Sequence, residues 1–206
     1  TDRSLGRLLD TLDELQLTEN TVVIFASDNG YYMGEHGLND KRSAYEESMR
    51  IPLIVRWPRV TPAGKMTDAM VLNIDLAPTL LDLAGLPVPE AMQGRSWKPL
   101  LGASTPTGWR SAFFYEYFYE THFGNPTTLA VRTDDAKLIY YPGHEEWTQL
   151  FELRSDPGET INLYNKPAAK ELQARMEAEF ARQSQAVGFH IPSNADKFDP
   201  TEPPHF

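Results

Sequence analysis

The sequence predicts an α/β protein whose second half is a small antiparallel sheet packed by one helix. Three observations carry that prediction. A leucine-spaced helix near the start runs straight into a β-branched apolar run, the rhythm of α/β folds. Four short aromatic or β-branched segments between 112 and 153 are separated by turn residues. A long periodic segment from 166 to 187 then closes at Gly188.

Each element follows from its residues. Leu5, Leu8, Leu9, Leu12 and Leu15 share one helical face, and Thr18, Glu19 and Asn20 interrupt it. Thr21 to Ala26 reads as a strand covered on both faces, as in a parallel sheet. Ile51 to Arg56 reads as a second buried strand and residues 69–73 as a short third one. Asp75 to Ala84 is helical, with Gly85 in place to cap it and Pro87 just beyond. Residues 86–110, rich in Pro, Gly and Ser, form a connection. Segments 112–120, 129–133, 137–141 and 147–153 are the antiparallel strands, with a hairpin at Asp134–Ala136. Leu172, Met176, Phe180 and Gln183 line one side of the last helix, and the Pro-rich tail from Ile191 has no period. The expected division is 1–108, 109–190 and the tail 191–206.

Composition narrows the function. With 206 residues, 41% hydrophobic and 23% charged, the chain has the make-up of a globular protein. A net charge of −10 repels a polyanion, so nucleic acid is not an expected partner. No apolar run is long enough to span a membrane, and the first residues carry no signal-peptide pattern. The absence of cysteine excludes disulfides, thiolate zinc sites and a cysteine nucleophile within the chain.

Chemistry is expected beyond the carboxyl end of the first strand, where α/β sheets bind ligands. Asp28 and Asn29, followed by Gly30, offer a carboxylate and an amide oxygen, hard donors suited to calcium or magnesium. The same three residues also make an ordinary turn. Lys41 has the form of an oxyanion ligand, a compact cation that donates hydrogen bonds, or of a solvated loop lysine. His36 has the form of a proton donor to a leaving oxygen, or of a turn residue.

The string from Ser27 to Val55, SDNGYYMGEHGLNDKRSAYEESMRIPLIV, resembles the C-terminal portion of the type I, formylglycine-dependent sulfatases of the alkaline phosphatase superfamily. The VPEAMQGRS segment at 88–96 and FELRSDPGE with Asn162–Leu163 agree, so the resemblance covers about residues 1–187. It implies the C-terminal part of an alkaline-phosphatase-like sandwich with a small antiparallel β-sheet plus helix subdomain. It implies Asp28 and Asn29 as metal ligands for one Ca2+ shared with an N-terminal part. Lys41, thirteen residues after Asp28, would be the catalytic lysine that binds the sulfate oxygens, with Arg42 a substrate contact and His36 a catalytic residue. Glu46 and Glu47 would brace the loop. Aromatics and His122 before residue 129 would shape a pocket or simply fill core and surface.

In the family a formylglycine made from a C/S-x-P-x-R motif is the nucleophile. Here there is no Cys, and Ser104 and Ser155, each two residues before a proline, lack the Arg. The first metal-binding aspartate pair is not recognisable either. The expectation is therefore a sulfuric ester hydrolase acting on a sulfated carbohydrate or aryl sulfate, with this chain supplying part of its site. The chain alone is expected to be inactive, to bind calcium weakly, and to self-associate through surface the missing part would cover. Such relatives work in the periplasm, outside the cell or in the lysosome. A phosphatase, phosphodiesterase or phosphonate hydrolase of the same superfamily is the alternative, and a non-catalytic binding module is the third reading.

Overall fold

A computed structural model of the chain describes residues 1–102, 106–120 and 124–191. The tail beyond Ile191, His122 and Ser104 lie outside the described residues. The chain clusters into two compact units, one of 1–28 with 51–109 and one of 29–50 with 110–206. The segment 29–50, expected with the first region, groups with the antiparallel sheet.

In the first unit, helix α1 (Asp2–Glu14) carries the leucine face and ends where Gln16 turns to φ 56°. Strand β1 (Val23–Ala26) follows. Its expected environment, a parallel sheet covered on both faces, is not what forms. Strand β4 (Leu53–Arg56) is its partner among the described residues. The two run antiparallel with Val23 opposite Arg56 and Ala26 opposite Leu53, and both are only partly covered. The third strand expected at 69–73 does not form either. The Trp109 indole donates to the Met70 carbonyl at 2.8 Å and the Leu72 amide donates to Asp75 at 2.8 Å, so side chains take the groups a ladder would use.

Helix α3 (Leu76–Leu83) matches the expected span. Gly85, at φ 71°, ends it, and the Leu86 amide reaches back to Leu81 at 2.9 Å. Asp75 at its start is fully buried. Its carboxylate also accepts from the Arg95 amide at 2.7 Å, and Thr79 on the next turn accepts from the Trp97 amide at 3.0 Å. Those bonds pin the 88–97 connection to α3. Gly94 is required there, because a Cβ would lie 1.9 Å from the Ile74 carbonyl oxygen.

The second unit is built on four antiparallel strands in chain order: β5 (Ala112–Tyr117), β6 (Thr128–Thr133), β7 (Ala136–Tyr140) and β8 (Gln149–Glu152). All four were expected. Trp147, expected to open the last strand, instead ends a short 3₁₀ turn. Strict alternation sends the two faces of this sheet to different partners. Val131, Leu138 and Leu150 pack on helix α4 (Lys170–Ala186) through Leu172, Met176 and Phe180. Ala130, Ile139 and Phe151 pack on Tyr32, Ala44 and Tyr45 of the 29–50 segment. Gly188, at φ 63°, stops α4 as the sequence indicated.

Candidate functional site

The chain passes from the first unit to the second between Asp28 and Asn29. On the first side, Asp28 leaves the end of β1 exposed to solvent, and the Asn73 amide holds its carbonyl at 2.6 Å. On the second, the Asn29 amide nitrogen donates to the Gly30 carbonyl at 2.7 Å. The Gly30 amide then donates to the Ser48 carbonyl at 2.8 Å. Only glycine fits at 30, since a Cβ would stand 1.9 Å from the Glu47 carbonyl oxygen.

After Gly30 the chain makes a tight hairpin of β2 (Tyr32–Met33) and β3 (Asn39–Asp40). Gly34, His36 and Gly37 all take positive φ at its turn, which explains the glycine spacing of GEHG. Glu35 accepts from the Met33 amide at 2.6 Å. Backbone N–H groups, its own and that of Met33, hold its carboxyl below the usual range. The left-handed conformation at His36 directs its imidazole into the unit, where the side chain is 13% exposed. It stacks on Tyr45 with centroids 4.0 Å apart, meets Tyr32 edge-on, and places Nε2 3.2 Å from a Glu47 carboxylate oxygen.

Lys41 and Arg42 follow β3. Nη1 of Arg42 pairs with Asp40, and its Nε lies 3.5 Å from Glu120. The Lys41 ammonium pairs with no carboxylate among the described residues, and the Ser48 hydroxyl donates to the Lys41 carbonyl. The rest of this loop is clamped. The hydroxyls of Tyr32 and Tyr115 hold Ser43, and Tyr45 donates to Gln149 at 2.8 Å. Burial pushes the Tyr32 phenol up to about 12 and raises Tyr115 and Tyr45 too, so all three stay protonated donors at neutral pH.

The helical turn α2 (Glu46–Met49) closes the loop. Glu46 pairs with Arg132 at 3.3 Å and Lys137 at 2.9 Å, and its amide donates to Glu159 at 2.7 Å. Bracing by Glu46, expected from the YEES string, is therefore visible bond by bond, whereas the Glu47 carboxylate faces His36. Burial works to raise the Glu46 carboxyl, yet the Lys137 ammonium and Arg132 guanidinium hold it below its usual value. Lys137 and Glu159 were not foreseen. A lysine inside an alternating strand reads as a solvent-facing position, and nothing in the string ties it to a glutamate ninety-one residues earlier.

For a metal, Asp28 and Asn29 supply oxygen donors of the hard kind calcium takes, two of the six to eight it requires. No cluster of three or more His, Cys, Asp or Glu able to hold a metal occurs among the described residues. The pair fits calcium in kind and would make up only part of a coordination shell.

Residues 34–186 match the family described as N-sulphoglucosamine sulphohydrolase, C-terminal. The chain belongs to this family and matches the C-terminal portion of sulfatases of the alkaline phosphatase superfamily. It is 41% identical over 169 residues to an N-acetylglucosamine-6-O-sulfatase of Bacteroides thetaiotaomicron, covering 80% of this chain and 30% of that protein. It is 34% identical over 168 residues to human arylsulfatase K, covering 79% and 31%. The solved complex of BT4656 with its substrate D-glucosamine-2-N,6-O-disulfate superposes with a TM-score of 0.86 at 34% identity, over 95% of this chain and 40% of that one. The chain thus spans about a third of the length of the curated relatives it matches.

Proposed function

We propose that this chain is part of a sulfuric ester hydrolase that releases sulfate from a sulfated sugar, and that Lys41 grips the sulfate oxygens. The observation that carries the reading is an ammonium without a carboxylate partner among the described residues, set on a loop whose neighbours Ser43, Tyr45, Glu46 and Ser48 are each held by hydrogen bonds or ion pairs. A cation carried on a clamped backbone costs less reorganisation when an oxyanion arrives, which favours electrostatic catalysis. The family and the sulfated-sugar relatives point the same way.

In this reading Lys41 holds the transferred sulfuryl group and offsets charge on its oxygens. Arg42, oriented by Asp40 and Glu120, contacts the substrate beside it. His36, with Glu47 at Nε2, has Nδ1 as the atom that gives a proton to the leaving oxygen. Asp28 and Asn29 would hold calcium together with ligands outside these 206 residues, and calcium when bound neutralises and orients the sulfate. The attacking group also lies outside them, since the chain has no Cys and Ser104 and Ser155 lack the required Arg.

The test is sulfate release. The full-length enzyme carrying this chain, given 6-O-sulfated aminosugars, an aryl sulfate and a phosphonate monoester, is expected to free inorganic sulfate, and to lose that activity with Asp28→Ala. Turnover of the phosphonate with none of either sulfate ester would overturn the reading in favour of the phosphonate hydrolase alternative.

A further inference from the structure

Among the described residues, Lys137 is the most deeply placed cation of the second unit. It sits on β7 opposite Phe151 of β8 and Arg132 of β6, on the face that meets the 29–50 segment, and its side chain is fully buried. Its ammonium lies 2.9 Å from Glu46 and 2.7 Å from Glu159. Arg132 faces the same Glu46 carboxylate, so two cations and two carboxylates close on one another. Taking such charges out of water is costly, and well-packed apolar residues often serve stability as well. A buried ionic cluster is therefore better explained by the geometry it imposes.

The geometry leads to the proposed sulfate site. Lys137 and Arg132 fix the side chain of Glu46, and Glu159 fixes its backbone amide, so the first residue of α2 is held from both ends. Two residues on, Ser48 binds in two directions. Its hydroxyl donates to the carbonyl of Lys41, and its own carbonyl accepts from Gly30, the residue after Asn29. One helical turn thus ties together the two segments that carry Asn29 and Lys41, and the ionic cluster anchors that turn to the sheet.

We infer that Lys137 is a positioning residue for sulfate-ester hydrolysis, acting through Glu46 and Ser48 to set the placement of Lys41 relative to Asn29. The inference rests on the proposed function. It predicts a defect in turnover separable from folding, because Lys137 acts on Lys41 only through Glu46 and Ser48.

The test compares Lys137→Met, Lys137→Arg, Ser48→Ala and Lys41→Ala in the full-length enzyme, reading kcat, KM and Tm for a sulfate ester well below every melting temperature. Lys137→Met is expected to lower kcat at least tenfold with KM changed less than threefold, and Lys137→Arg to recover part of it, since a guanidinium can bridge both carboxylates. Ser48→Ala, which removes one hydroxyl and leaves the cluster intact, is expected to lower kcat about fivefold with Tm nearly unchanged. Should Lys137→Met fail to fold, Ser48→Ala decides. Wild-type kcat in Ser48→Ala, or in a folded Lys137→Met, while Lys41→Ala is inactive overturns this inference alone. A fully active Lys41→Ala overturns the proposed function and the inference with it.

Discussion

The two units bury their apolar residues very differently. In the second, both faces of a four-stranded sheet are covered, and Val131, Leu138, Ile139, Leu150 and Met176 are sealed from solvent. In the first, β1 and β4 form a two-stranded ribbon, and large apolar residues remain open, with Ile54 62%, Leu8 50% and Leu80 49% exposed. A two-stranded ribbon is marginal in isolation. What the first unit buries includes a polar lock, the Asp75 and Thr79 bonds to the 95–97 backbone, together with Met70, Trp97 and Leu100. One unit carries a finished core, while the other carries a frame whose apolar side is left open.

The largest expected effect lies in the finished unit. Lys137→Ala strips the buried Glu159 carboxylate of its cation and leaves it beside Glu46, and should cost about 3–5 kcal/mol in urea unfolding of the 206-residue chain. Leu138→Ala should cost about 2–5 kcal/mol, whereas Ile54→Ala, half in water already, should cost less than about 1 kcal/mol. Equal losses at Leu138 and Ile54 would break the contrast between the units.

The lock of the first unit offers a sharper test of where its order resides. Gly94→Ala forces a Cβ against the Ile74 carbonyl and should cost about 1–3 kcal/mol, more than Ile54→Ala despite adding a single methyl. A neutral Gly94→Ala in the same urea experiment would show that the 88–97 connection is not pinned.

A smaller effect is expected from pH. The Glu46 carboxyl sits below its usual 4.5, with burial opposed by Lys137 and Arg132, so its stabilisation is complete above about 4.5 and is lost as pH falls through the lowered value. Burial raises Glu159 instead, so its contribution is complete below about 4.5 and is lost as pH rises through the raised value. Denaturant unfolding from pH 3 to 7 should therefore show Glu46→Gln flattening the acid limb and Glu159→Gln flattening the slope above 4.5. The same effect from both variants would contradict the assignment.

This contrast also explains what was legible in the sequence. The second unit was readable because alternation and turn residues act locally: Asp134–Asp135 close β6 onto β7, and the Met176 stripe marks α4. The first unit misled at two points. The β-branched run at 22–26 has the composition of a doubly covered strand, yet its neighbours here leave it partly open and antiparallel. Met70 to Leu72 has strand composition, but Trp109 and Asp75 take its backbone groups. Of the candidate site residues, Asp28, Asn29, His36, Lys41 and Arg42 stood out because one contiguous string carries them. Lys137 and Glu159 were hidden, since their meaning comes from pairing with Glu46 across the sheet rather than from their neighbours in the chain.

The proposed role of Lys41 is to grip the sulfuryl group. Steady-state hydrolysis of a sulfate ester by the full-length enzyme with Lys41→Ala tests it most directly. The expected result is a fall in kcat of about 10²–10³-fold, the usual cost of removing one preorganised donor to a reacting oxyanion, with Tm unchanged. Activity within threefold of wild type would contradict it.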